Sequence, residues 1–233
     1  MPSHAAVIAV TCLALEARIA RGPGVSVLCN HSLELGKTLR AAIARGASGI
    51  ISFGIAGGLA PHLAPGDWVV ASGVRNGNDV IATDRPWTQR LLEKLPGAVH
   101  AEVAGASAVV VSALEKRDLH NETGAAAVDM ESHIAAEIAA EHRIPFAACR
   151  VIIDPAHRTL PPAATLGLRL DGAPDVPAVF RSLRQKPSQF PDLIRIASDA
   201  YIARRALRSG REQLGVGLGF PYYNDTPSHR AVA

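Results

Sequence analysis

The chain is short of several things that whole classes of protein require. No stretch reaches the roughly 18 apolar residues that a membrane-spanning helix needs, so no such span is expected among its 233 residues. Cysteine is scarce and odd in number: Cys12, Cys29 and Cys149 lie in apolar surroundings without metal-ligand spacing. That argues against disulfides and zinc, and for buried thiols in a reducing cytoplasm. Aromatic residues make up 4% of the chain. There is no GxGxxG fingerprint and no Lys of a phosphate-binding P-loop. The opening run AAVIAVTCLALEARIA superficially resembles a signal peptide, but no Lys or Arg precedes it and Glu16 interrupts it. It reads as a first sheet strand.

Nearly half the residues (48%) are apolar, enough for one sizeable core in a chain of this length. Strand candidates are Ala5 to Val10, Val25 to Cys29, Gly49 to Phe53, Asp67 to Gly73, Ala106 to Val111, Ala125 to Met130 and Pro145 to Ile153. Helical patterns run from Leu33 to Arg45, Thr88 to Leu95, Glu115 to Thr123 and Ser132 to His142. This alternation predicts a three-layer α/β/α domain around a central mixed, mostly parallel sheet. Prolines 155, 161, 162, 174 and 177 mark an irregular connection, and a helix is expected over roughly Pro191 to Arg208, with Leu193, Ile194, Ile196, Ala197 and Tyr201 facing the body. The domain is therefore read as residues 1–208, with 209–233 as a Gly-rich tail without clear elements.

The net charge of +3 is uneven: Arg181 to Arg211 holds eight basic residues against Asp192 and Asp199, a local +6. Such a stretch is a solvated face or a foot on anionic lipid. Nucleic acid is not expected, because aromatics to stack bases are missing there.

Chemistry concentrates between Ala125 and Ala156, AAAVDMESHIAAEIAAEHRIPFAACRVIIDPA. Asp129 and Glu131 stand where an apolar run gives way to a helix, and Asp154 closes the next apolar run before Pro155. Strand, helix, strand at this length reads as a βαβ crossover with both strands parallel and adjacent. Ligands bind beyond the carboxyl ends of strands in open sheets, so Glu131 and Asp154 are expected within one small-molecule radius. Each acid also has an ordinary reading as a helix-cap or turn residue. Upstream, Phe53 leads into GIAGGLAPHLAPGDWVVAS. Glycine there permits positive φ and close backbone approach to a ligand, or simply makes a turn. Glu16 is either an exposed partner of Arg18 or Arg21, or a further acid at the same edge.

Together CLALEARIA, FGIAGGLAPHLAPGDWVVAS, and AVDMES followed by CRVIIDPA resemble the nucleoside phosphorylase and nucleosidase superfamily over residues 5 to 160. AVDMES, VIIDPA and LPPAA resemble the hopanoid-associated phosphorylases, implicated in removing adenine from adenosylhopane. The resemblance implies that Glu131 binds the ribose hydroxyls, with Met130 packing on the sugar; Asp129 is grouped with these substrate-binding residues but read as structural. It implies that Asp154 hydrogen-bonds the purine and protonates N7, that Glu16 activates water, and that Gly54, Ile55, Ala56, Gly57 and Gly58 line the pocket. No metal and no cofactor are implied, with phosphate as the alternative co-substrate. Methylthioadenosine or adenosylhomocysteine cleavage is the second enzymatic reading, and a non-catalytic nucleoside-binding module the third. Two departures matter: Ile153 stands where methylthioadenosine-type nucleosidases commonly have Ser, and no Arg flanks the glycine segment to hold phosphate. Arg18 and Arg150 are nearby candidates, equally readable as structural partners. A cytoplasmic homo-oligomer acting on a nucleoside or nucleoside-lipid, with peripheral contact at the inner membrane face through 181–211, completes the expectation.

Overall fold

The computed structural model describes residues 6–30, 32–161, 184 and 190–222. Its strands are β1 (Val7–Thr11), β2 (Val25–Cys29), β3 (Gly49–Gly58), β4 (Trp68–Asn76), β5 (Asp79–Ala82), β6 (Val99–Gly105), β7 (Ala127–Asp129) and β8 (Phe146–Asp154). Its helices are α1 (Ala14–Ala20), α2 (Ser32–Ala44), α3 (Arg85–Lys94), α4 (Ala113–Thr123), α5 (Ser132–His142) and α6 (Phe190–Leu214). The sheet is mixed and mostly parallel, as expected, with five parallel pairings and three antiparallel ones.

Alternation of side chains along each strand builds two cores. Ile8, Val10 and Ile50 pack with Leu35 and Leu39 of α2 and Ile138 of α5. Val7, Ala9, Ile51 and Phe53 pack on the other face with Trp87 and Leu91 of α3 and Leu207 and Leu214 of α6. Helices therefore cover both faces.

The sheet closes on part of itself. Strands β3, β7, β6, β4 and β8 pair in a ring, while β1 and β2 extend from β3, and β5 extends from β4. This corrects the expected crossover. β7 runs antiparallel to β3 at Gly57 and Gly58, whereas β8 runs parallel to it from Ile50 to Gly57. The two strands flank β3 in opposite directions, because β8 must also pair antiparallel with β4 to close the ring. The glycine segment is not a loop either: Gly54–Gly58 complete β3.

Two other expectations fall. Ala106 to Val111 is not a strand; the strand is β6, just upstream, whose Glu102 is paired with Arg75 at 2.7 Å. In α6, Ile194 and Tyr201 are 57% and 59% exposed. The helix docks instead through its C-terminal half: Ala203, Leu207, Gly210 and Leu214 are buried, and a Cβ on Gly210 would lie 2.3 Å from Trp68 Cζ2. The boundary expected at 208 falls inside α6, and the chain then turns through Val216–Gly219 to bury Phe220 edge-on against Trp87, with centroids 4.8 Å apart. The proline-rich connection from 162, most of 181–189, and 223–233 lie outside the described residues. Among the described residues, no helix is long and apolar enough to cross a membrane.

Candidate active site

The end of β3 carries glycine because neighbouring groups lie against its backbone, charged ones at Gly54. A Cβ on Gly54 would stand 2.3 Å from Glu16 Oε1 and 2.8 Å from Arg150 Nη1. On Gly57 it would meet Val128 Cγ1 at 3.3 Å and Asp154 Oδ1 at 3.6 Å, and on Gly58 the Asp154 carbonyl at 3.2 Å. None of the three has positive φ, so close approach, and not a left-handed backbone, selects glycine here.

Glu16 sits in the first turn of α1 and is 2% exposed. Its Oε2 accepts from the backbone amides of Cys12 (2.9 Å) and Leu13 (2.8 Å), and its Oε1 from Ile55 N (2.7 Å). Three amides hold it where Arg18 or Arg21 was the alternative partner. Burial raises its pKa, against the pull of Arg150 and these amides.

Asp129 and Glu131 separate cleanly. Asp129 Oδ1 accepts from the amides of Glu131 (3.2 Å) and Ser132 (2.9 Å), and Oδ2 accepts from the Ser132 hydroxyl. Asp129 thus caps the start of α5 and also meets Arg150 Nε at 2.6 Å. Glu131 makes no side-chain cap bond. It is 3% exposed, its Oε2 lies 3.9 Å from Arg150 Nη2, and its Oε1 has no hydrogen-bond partner. Burial, with Asp129 and Glu16 nearby, pushes its carboxyl up to about 7 despite Arg150. The Cys12 thiol hydrogen-bonds this carboxylate, and burial and Glu131 raise the thiol's pKa in turn.

Arg150 is fully buried on β8. Besides Asp129, it donates to the Ser52 hydroxyl, to the Ser132 hydroxyl (3.2 Å) and to Ile55 O (3.5 Å). Burial opposes its charge, but Asp129, Glu131 and Glu16 outweigh burial and hold it protonated.

Asp154 lies farther along the same strand pair. β8 advances from Ile152 to Asp154 while β3 advances one residue, from Ala56 to Gly57. Ile153 is thus the extra residue of a bulge that re-aims the next side chain. Asp154 is 8% exposed and pairs through Oδ2 with Lys116 of α4, itself fully buried. Burial raises the pKa of Asp154, against the pull of Lys116 and Arg158. Gly54 and Gly57 are three residues apart, about 10 Å of strand, so the Glu16–Glu131–Arg150 group and the Lys116–Asp154 pair stand a small molecule's length apart. Met130, Ile55 and Ile153 are half-buried between or beside them, and Ala56 is buried.

Every acid singled out in the sequence is therefore buried in this region. Sequence reasoning misses Lys116, Cys12, Ser52 and Ser132, and does not decide between a phosphate-holding and a structural Arg150. The available signal was a basic residue inside a nine-residue buried strand, and a Lys three residues before Leu119 on the inner face of α4. Among the described residues no three His, Cys, Asp or Glu side chains are arranged to hold a metal. A separate cavity of about 320 Å³ at the start of β8, lined by Thr83, Asp84, Arg143 and Phe146 among others, contains none of these carboxylates.

A family model described as the phosphorylase superfamily matches residues 22–171. No curated protein matches the sequence. Among solved structures, the chain is similar to futalosine hydrolase of Helicobacter pylori, with 16% identity, 90% of this chain and 98% of that chain covered, and a TM-score of 0.62. It is also similar to S-adenosylhomocysteine nucleosidase from Streptococcus pyogenes in complex with 5-methylthiotubericidin (16% identity, 93% and 99% covered, TM-score 0.63). A third is 5′-methylthioadenosine/S-adenosylhomocysteine nucleosidase from Helicobacter pylori (15% identity, 91% and 99% covered, TM-score 0.61). At these identities the likeness is one of fold.

Proposed function

The chain belongs to the phosphorylase superfamily, and from that premise we propose that it cleaves the N-glycosidic bond of a 5′-substituted adenosine and releases adenine. The observation that carries this reading is Glu131 Oε1, a buried carboxylate oxygen without a partner, next to the Arg150 that lies against Gly54 while a second buried acid, Asp154, lies near Gly57 of the same strand. An ionised Glu131 accepts the two ribose hydroxyls and stabilises positive charge developing on the sugar. Asp154 supplies the proton that lets the purine leave through N7, a contribution of typically 10² to 10⁴-fold for a positioned acid. Glu16, with three of about four lone-pair sites taken by amides, keeps one for the attacking water. Met130 and the Gly54–Gly58 strand wall the sugar.

Water, in this reading, is the nucleophile. The buried Arg150 already faces Asp129, Glu131 and Glu16, so an incoming phosphate would meet excess negative charge. Phosphate as co-substrate is the alternative outcome.

Adenosylhopane is the proposed 5′-substituted substrate, supported by the AVDMES, VIIDPA and LPPAA wording and by α6. Phe190, Ile194 and Tyr201 are exposed on that helix and Arg204, Arg205 and Arg208 follow them, a pattern suited to an anionic lipid surface. The enzyme would then be a cytoplasmic homo-oligomer touching the inner membrane face. Methylthioadenosine or adenosylhomocysteine is the second reading, favoured by the nucleosidase structures that share the fold.

The test is adenine release by purified protein from adenosylhopane, methylthioadenosine and adenosylhomocysteine, with and without phosphate, scoring the sugar product as free or 1-phosphorylated. No adenine from any of them refutes the activity. Reversing the charges of Arg204, Arg205 and Arg208 should weaken sedimentation with phosphatidylglycerol vesicles, and unchanged sedimentation refutes the membrane contact.

A further inference from the structure

Lys116 reaches the purine end of the site from a helix that none of the sequence motifs touches. Its side chain is fully buried. The amine contacts the Asp154 carboxylate, Pro155 O at 3.2 Å and Arg158 O at 3.0 Å, three acceptors for the three N–H bonds of an ammonium. Holding α4 in place does not require it. The helix start is already fixed by the Ser112–Glu115 capping box, by Ala113 N donating to Thr159 Oγ1 at 3.1 Å, and by Leu160 N donating to Val111 O at 2.9 Å. A buried ion pair is also weak as a stabilising device, because desolvation offsets its attraction.

The pair nevertheless raises a chemical problem for the cleavage proposed above. A carboxylate facing an ammonium has no proton to give, yet the departing purine needs one. We propose that the acid of the reaction is the Lys116–Asp154 pair sharing one proton, with Lys116 a positioning residue that acts through Asp154. As the C1′–N9 bond breaks, its electron pair goes to the purine. N7 takes the proton from the Asp154 carboxyl, and Asp154 draws that proton from the Lys116 ammonium. The neutral amine left behind keeps two N–H donors for the Pro155 and Arg158 carbonyls. Water adds its hydroxide to C1′, and its remaining proton goes to Glu16. When neutral adenine departs, Glu16 releases its proton to solvent and Lys116 takes one up, which restores both groups for the next turnover.

This inference rests on the glycosidic reading, and two variants separate it from that reading. Lys116→Arg keeps the charge and the ion pair, but a guanidinium does not give up its proton. Lys116→Met leaves a lone buried carboxyl that can hold a proton by itself at low pH. The readout is the pH profile of kcat/KM for adenine release from methylthioadenosine, or from whichever tested nucleoside the wild type cleaves fastest, with folding checked by circular dichroism. The Arg variant should fall by about 100-fold or more across the range. The Met variant should retain activity at acid pH, with its alkaline limb moved down by on the order of two pH units, since a carboxyl loses its proton well below an amine. Arg activity within about fivefold of wild type overturns the proposal, as does a Met profile lowered evenly with its alkaline limb unmoved. If the Arg variant fails to fold, the Met limb decides alone, and Lys116→Gln replaces Met if that variant fails. A wild type that releases no adenine refutes the glycosidic reading itself.

Discussion

Replacing Glu131 by Gln should make the protein more stable and less active, by amounts that depend on pH in a defined way. Burial holds the Glu131 carboxyl at about 7, against an ordinary 4.5. A carboxyl whose pKa is raised on folding binds its proton more tightly in the folded state, so stability is lost as pH rises from 4.5 through 7. The full loss is about 3 kcal/mol, at about 1.4 kcal/mol per tenfold change in proton affinity. Gln does not titrate. The stability of Glu131→Gln relative to wild type should therefore be flat below pH 4.5, climb between 4.5 and 7, and level off above 7 about 3 kcal/mol higher. For a chain of this size that corresponds to about 6–12 °C in Tm at pH 8 relative to the offset at pH 4.5. Urea or thermal unfolding of both proteins at pH 4.5, 6 and 8 measures it. A difference that does not change with pH refutes the argument that ionising Glu131 costs stability. The same variant should lose about 100-fold in kcat/KM, since a neutral amide forgoes a charge-assisted hydrogen bond worth about 1.5–3 kcal/mol.

Asp154→Asn should lower turnover by at least about 100-fold while ligand binding, measured by calorimetry, changes far less; equal losses in both would argue for a binding role alone. A ligand with a cationic ring in place of ribose should bind only the form with Glu131 ionised. Its Kd should weaken about 30-fold between pH 8 and pH 5.5, and a Kd that does not vary with pH contradicts that. Gly54→Ala puts a methyl 2.3 Å from Glu16 Oε1; activity should collapse with about 1–3 kcal/mol of stability lost, and a fully active variant would show that Glu16 need not stay where it is. Phe220→Ala should cost about 3–5 kcal/mol in urea unfolding, as expected for a large buried aromatic, because Phe220 is 4% exposed against Trp87.

The sequence showed its local structure better than its closure. β2 and α5 occupy Val25–Cys29 and Ser132–His142 as their patterns predict, because each carries a hydrophobic period that matches its own geometry. β6 was missed for a related reason: His100 and Glu102 break its apolar run, and Glu102 finds Arg75 only after β4 and β6 pair. The direction of β7 relative to β8 was not legible, since it depends on β4 returning to close the ring, a contact between distant segments. In α6 the most hydrophobic residues were read as the inner face. The buried face is instead Ala203, Leu207, Gly210 and Leu214 in its C-terminal half, where close approach to Trp68 requires Gly210, a residue that no hydrophobic period marks as a contact.

The acids are legible as a set in the sequence, but the partners that separate them are not, and charge explains why. Asp129, Glu131 and Glu16 look alike in sequence, yet one guanidinium distributes itself unequally among them: 2.6 Å from Asp129, 3.9 Å from Glu131, and acting on Glu16 alongside three amides. Asp129 is thereby committed to the scaffold, and Glu131 is left with an unpartnered oxygen. At the end proposed for the sugar, three carboxyls thus face one guanidinium, so ionising all three costs stability that a cationic sugar would relieve. At the other end, proposed for the purine, Lys116 faces Asp154, one ammonium for one carboxylate. The two ends differ in charge by design of the packing: Arg150 is divided among three acids, and Lys116 serves one. That asymmetry suits a bond that breaks into a positively charged sugar and a base in need of a proton.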